Sequence, residues 1–281
     1  MMLPQMIRVF PRKTAFTPTD ELAFVGDPPL FRPPEMPVHI SVVFTWDIPK
    51  GKQLLRAWGN VYRDVHLGGP AFDNPGDSFV PGRYVKQGVV FTSRGCPKKC
   101  PWCFVPWREG PIRTLPIHPG NNIGDNNILA CPKSHIEAVF EMLTGQKAIE
   151  FTGGLDATII RKWHVDGLKK LSIKQMFFAC DSPDGLKPLD RAGDLLGDFP
   201  VWKKRCYVLI GHNGEDILDA EKRLEAVYEK GFLPFAMLFK DVQPKVWTKE
   251  WRRLQRKWSR PAAYRSASTQ QANTGWIDHA T

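Results

Sequence analysis

From Gly88 to Phe239 the chain alternates short apolar, β-branched runs with amphipathic stretches. The runs fall at Val89–Thr92, Ile123–Leu129, Ala148–Thr152, Gln175–Ala179, Cys206–Ile210 and Pro234–Phe239. Between them, Ile136, Val139, Phe140 and Leu143 keep helical spacing up to Gly145, behind a Ser134–Glu137 capping box. A second stripe, Ile217, Leu224, Val227 and Tyr228, lies within Glu215–Lys230 and stops at Gly231. Such alternation predicts an α/β fold: a parallel sheet or barrel with outer helices and all strand C-termini at one rim.

Residues 1–87 form a separate, Pro-rich region, with prolines at 4, 11, 18, 28, 29, 33, 34 and 37 that favour extended segments and turns. Strand-like runs occur at Ile7–Phe10, Leu22–Val25, Val38–Thr45 and Val65–Leu67, and Lys52–Trp58 suits a helix. The last two runs with that helix predict a βαβ unit. Asp73-Asn-Pro-Gly-Asp reads as a turn. The expected organisation is a small α/β region over 1–87, a larger α/β domain over 88–262, and a polar, disordered tail over 263–281.

The chain has no apolar run of about 18 residues, so no membrane span and no membrane partner are expected. The N-terminal residues lack the uninterrupted apolar stretch of a signal peptide, which predicts a cytoplasmic protein. In a reducing compartment the six cysteines are metal ligands or buried thiols rather than disulfides. Cys131, Cys180 and Cys206 sit in apolar contexts and read as core residues.

A net charge of +10 favours an anionic partner, nucleic acid included. Residues 240–260 hold four Lys and four Arg against one Asp and one Glu, so much of the surplus is local. A helix is expected over Thr248–Ser259, where Trp247, Trp251, Leu254 and Trp258 keep one helical stripe opposite Arg252, Arg253, Arg256 and Lys257. This pattern fits a helix closing the end of the domain better than a nucleic-acid platform.

Cys96, Cys100 and Cys103, spaced C-x3-C-x2-C, follow directly behind the first strand of the larger domain. Three thiolates so close in sequence can converge on a soft metal centre. A structural zinc site wants four protein ligands, and no second knuckle follows; the nearest downstream histidine is His118. An iron–sulfur cube held by three cysteines keeps one iron open to another ligand.

This loop, with Trp102 just before the last cysteine, resembles the signature of the radical S-adenosylmethionine (radical SAM) superfamily. The resemblance implies a [4Fe–4S] cluster on Cys96, Cys100 and Cys103, with S-adenosylmethionine (SAM) chelating the open iron. Reductive cleavage would then give a 5′-deoxyadenosyl radical that takes hydrogen from a substrate. It also implies a partial (β/α)6 TIM-type barrel and a reductant partner such as a flavodoxin or ferredoxin. As SAM contacts it points to Asp125 and Asn126 in Gly124-Asp-Asn-Asn127, to Asp181 and Ser182, to Gly211, and to Trp102 as an adenine cover. The superfamily's usual Gly-Gly-Glu is not present on the second run; Gly153-Gly154-Leu155-Asp156 follows the third instead and reads as a substrate-side turn, or as the SAM amino-group site if the strand count is shifted. Asp156, Cys180 and His212 are acid–base candidates by rim position alone.

The N-terminal region resembles the closing half of a Rossmann-like, cobalamin-binding domain. Asp64-Val-His66-Leu-Gly-Gly69 matches D-x-H-x-x-G, but His66 lies inside a β-run, so it reads as structural and cobalamin is not expected. The whole chain is similar to a compact radical SAM group found in phage and bacterial genomes. The sequence therefore predicts a radical SAM enzyme whose substrate is a nucleobase, nucleic acid, peptide or small metabolite. The alternative is a zinc- or Fe–S-stabilised nucleic-acid-binding protein without radical chemistry.

Overall fold

In the computed structural model the described residues are 5–73, 79–240 and 245–262. The tail at 263–281 and most of the Asp73–Asp77 turn lie outside them. The chain folds as two compact units, Met1–Lys147 and Ala148–Thr281.

The first unit opens with β1 (Ile7–Phe10), β2 (Ala23–Val25) and β3 (Val38–Ser41), then α1 (Ile48–Gly59) and β4 (Val65–Gly68). The four strands make a parallel sheet in the order β2-β1-β3-β4, and the expected βαβ unit is β3–α1–β4. Strand alternation turns Val38 and Ile40 into the core and His39 and Ser41 to the opposite face. Leu54 and Trp58, four apart on α1, bury against Ile7, Val9 and those β3 residues. Trp58 satisfies its polar tip by donating Nε1–H to Gly26 O at 3.0 Å. Truncating this fully buried ring to alanine would cost about 3–5 kcal/mol.

The same unit continues with β5 (Val89–Val90), β6 (Ser93–Arg94), α2 (Val105–Arg108), β7 (Arg113–Thr114), β8 (Asn122–Ile123) and α3 (Lys133–Thr144). β5 pairs with β8 in parallel, and β6 pairs with β7 antiparallel. The strand expected over Ile123–Leu129 ends at Ile123, and Ile128–Ala130 is a 3-10 turn. Its ladder stops where the Asp125 carboxylate takes the Thr92 N–H. The Ser134–Glu137 capping box does not form either. Pro132 is the N-cap, its carbonyl accepting from His135 and Ile136 N–H, so Ser134 lies inside the helix and Glu137 pairs with Lys133 at 3.6 Å.

The second unit runs β9 (Ile149–Phe151), α4 (Lys162–Leu168), β10 (Ile173–Ala179), α5 (Leu186–Leu195), β11 (Lys204–Ile210), α6 (Ile217–Glu229), β12 (Leu233–Leu238) and α7 (Lys249–Trp258). β9, β10, β11 and β12 are neighbours in that order and all parallel. On β11 every second residue, from Lys204 through Cys206 and Val208 to Ile210, is buried. α6 starts where the Asp216 carboxylate accepts the Asp219 N–H at 2.8 Å. α7 packs on β12 and α6, burying Leu254 and Trp258 of the expected stripe. Glu221 receives Lys257 at 2.6 Å and the Trp258 indole at 3.3 Å. Parallel sheets alternating with helices are the α/β class read from the sequence. Among the described residues no helix is long and apolar enough to cross a membrane.

Candidate functional site

The cysteines ride on a loop pinched at its base by the β6–β7 ribbon. Ser93 and Arg94 pair with Thr114 and Arg113, and Cys96 N–H donates to Gly110 O at 3.2 Å. Gly95 makes this closure feasible. Its φ is +83°, and a Cβ there would lie 2.2 Å from Pro111 O, so no other residue fits without moving backbone. Within the loop, Cys103 N–H donates to Cys100 O at 3.0 Å, closing a turn that holds Trp102. Cys96, Cys100, Cys103 and Trp102 are all half-buried.

Glu109 ties the loop to the rest of the unit. Its carboxylate accepts from Gly95 N–H (3.2 Å), Arg94 Nη1 (3.3 Å) and Asn126 Nδ2 (2.5 Å). The Arg94 guanidinium also lies 4.1 Å over the Phe91 ring. Asn126 Oδ1 takes no hydrogen bond among the described residues and stays available as an acceptor. Next in the chain, Asn127 Nδ2 donates to Cys96 Sγ at 3.6 Å. Neither Glu109 nor Asn127 stands out in the sequence as a site residue, because both act only once the loop has folded back. The doubled asparagine beside Asp125 was the signal for the second.

Asp125 is 1% exposed. Its carboxylate accepts Thr92 N–H, Thr92 Oγ1–H and Ser93 Oγ–H, each at 2.6 Å, so it joins the end of β8 to β5 and β6. Burial pushes its pKa up, and the hydrogen bonds from Ser93 and Thr92 oppose the rise. His135 Nε2 lies 3.3 Å from the same Thr92 hydroxyl. Both Asp125 oxygens are thus engaged within the fold.

In the second unit, Asp181, Ser182 and Gly211 fall at the ends of β10 and β11, as expected. Asp181 Oδ1 accepts Leu209 N–H at 2.8 Å, and its carbonyl accepts from His212 Nε2 at 2.7 Å. Ser182 O accepts from Gly185 N–H at 3.0 Å and from Cys180 Sγ at 3.6 Å. Arg223 fastens this rim from beneath, donating to Cys180 O (2.9 Å) and Leu209 O (3.0 Å) and pairing with Glu215. Glu215 in turn accepts Gly211 N–H at 2.8 Å. Gly211 has φ +78°, and the Trp247 ring covers it so closely that a Cβ would meet that ring at 2.3 Å. The surface expected to back an adenine is therefore occupied by an indole of the chain itself.

The acid–base candidates fare unevenly. Burial pushes the Cys180 thiol up to about 12, which leaves it protonated at neutral pH. The Asp156 carboxylate is turned onto Thr158, accepting its N–H (2.9 Å) and Oγ1–H (2.7 Å). Leu155 N–H donates to Phe177 O at 2.6 Å, so Gly153–Asp156 is a turn docked on β10. Cys131, Cys180 and Cys206 are buried, as their apolar contexts predicted.

No protein-family model and no curated protein matches the chain. The fit of a cluster therefore rests on the loop itself. All six cysteines are outside disulfides. Among the described residues no three His, Cys, Asp or Glu side chains gather as they would round a single ion. A cube binds each cysteine through a different iron, so its sulfurs stand around it rather than meeting at a point. Three half-buried thiols on one closed loop, with an amide N–H aimed at one sulfur, have the donor chemistry for that group.

Proposed function

We propose that this chain is a radical SAM enzyme, with Cys96, Cys100 and Cys103 holding a [4Fe–4S] cluster. The observation that carries the reading is the closed, glycine-pinned cysteine loop whose Cys96 sulfur receives the Asn127 amide N–H. When bound, the cluster supplies a low-potential electron for cleaving the SAM sulfonium. Under this reading Glu109 holds the loop base and orients Asn126, leaving Asn126 Oδ1 to accept from the methionyl amino group. Asp125, 1% exposed and already accepting from Thr92 and Ser93, is read as organising the strand ends that flank the site.

Asp181 and Ser182 at the end of β10 are the proposed ribose contacts. Gly211 serves the adenine only if Trp247 gives way to it. The parallel strands from β5 onward are read as a partial (β/α)6 barrel, and the N-terminal parallel sheet as a truncated Rossmann-like region without cobalamin. A flavodoxin or ferredoxin would deliver the electron. The surplus of Lys and Arg favours a nucleobase within a nucleic acid as substrate.

Anaerobic purification tests the cluster. A brown protein with about four irons, lost in Cys100→Ala with the fold retained, supports the reading. A colourless, zinc-loaded protein overturns it and leaves the nucleic-acid-binding alternative.

A further inference from the structure

Arg8, His39 and His66 stand side by side across β1, β3 and β4, on the sheet face turned away from Val38 and Ile40. Arg8 is committed there: it pairs with Asp20 and donates to Gly82 O and Arg83 O, each at 3.1 Å. The two histidines are not so committed. Their ring centroids lie 5.3 Å apart, with His39 half-buried and His66 exposed on the edge strand.

Each ring has one nitrogen engaged, and the Asp64 carboxylate fixes the tautomer of His66. Tyr84 Oη lies 2.6 Å from His39 Nδ1, with Met6 Sδ within 4.0 Å of the same hydroxyl. In the tautomer that carries its proton on Nδ1, His39 donates to the phenolic oxygen and the lone pair sits on Nε2. Asp64 lies 2.6 Å from His66 Nε2 and accepts its proton, which puts that lone pair on Nδ1. Neither lone-pair nitrogen has a hydrogen-bond partner among the described residues.

We propose that His39 Nε2 and His66 Nδ1 form a two-imidazole site for a late divalent transition metal, zinc being the reference ion. Imidazole suits such ions. Metal-binding histidines are typically held by a hydrogen bond on the far ring nitrogen, which Tyr84 and Asp64 supply here. Two imidazoles bound at about 2.0–2.1 Å to a tetrahedral ion place their ring centres roughly 5 Å apart, close to the spacing observed. Arg83 and, across the ladder, Arg8 are the cations nearby, and Asp64 is the opposing carboxylate. Since no third His, Cys, Asp or Glu joins among the described residues, water or an atom from a partner completes the ion. This makes it an exchangeable site, independent of the cysteine loop.

The test is a zinc titration of the full-length, 15N-labelled chain followed by long-range 1H–15N spectra of the histidine rings, with zinc in excess over the three loop cysteines. The two rings are assigned from His39→Gln and His66→Gln. The proposal expects His39 Nε2 and His66 Nδ1 to move together to metal-bound shifts. His66→Gln should leave His39 Nε2 at its metal-free position, and Asp64→Asn should weaken binding by about tenfold or more. Either nitrogen staying unmoved in the wild type, or His39 still binding in His66→Gln, overturns it.

Discussion

The Asn127 amide donates to the Cys96 sulfur across 3.6 Å, from a side chain that is 4% exposed. An N–H···S bond stabilises extra negative charge on the sulfur, and so favours the reduced state of a cluster bound through it. Asn127→Leu removes the donor while keeping the bulk. Its midpoint potential, read by EPR-monitored redox titration, should fall below that of the wild type at unchanged iron content. An unchanged potential would separate Asn127 from the cluster.

Gly95→Ala tests the loop closure. The residue would be strained at φ +83° and would drive a methyl into Pro111 O. Iron and sulfide content should collapse while far-UV circular dichroism stays near wild type, because the strain is confined to the loop base.

Asp125→Ala should act on stability. It leaves the Thr92 amide and the Thr92 and Ser93 hydroxyls buried without their acceptor. The orphaned amide costs about 1–3 kcal/mol and the hydroxyls less, since His135 Nε2 stays 3.3 Å from that of Thr92, so a loss of about 1–3 kcal/mol is expected from urea unfolding. A neutral outcome would show that the carboxylate is not a structural tie.

His164 sets a pH dependence. It is buried, Arg161 N–H donates to its Nδ1 at 3.0 Å, and burial followed by the Arg161 charge lowers its pKa from 6.5 to about 4. The unfolded chain takes up the proton near 6.5, while the folded chain resists it until about 4. The contribution to stability is therefore full above 6.5, declines as pH falls between those values, and is flat below about 4. His164→Gln keeps an acceptor and does not titrate. The difference in urea midpoint between wild type and variant should shrink across that window and remain constant above it.

The parallel strands and the β3–α1–β4 unit were legible because their residues are apolar and periodic, so burial and local pattern agree. The cysteine spacing was legible because ligand chemistry leaves its mark in sequence. The β6–β7 ribbon was not, since Ser93–Arg94 and Arg113–Thr114 are polar two-residue strands separated by the whole loop. Glu109 was invisible for the same reason: its partners Gly95 and Asn126 come from both sides of that excursion. Asp125 carried the right residue type for a ligand contact, but sequence does not show that Thr92 and Ser93 reach it first. Trp247 was read as part of a helical stripe, and its seat on Gly211 depends on a glycine at positive φ that pattern alone does not locate.

The most direct test of the central claim is anaerobic incubation of the reconstituted protein with SAM and dithionite, measuring 5′-deoxyadenosine by chromatography. The account predicts dithionite-dependent 5′-deoxyadenosine and methionine in equal amounts, absent in Cys96→Ala, Cys100→Ala and Cys103→Ala. A protein that carries its full complement of iron yet leaves SAM intact under reduction would contradict it.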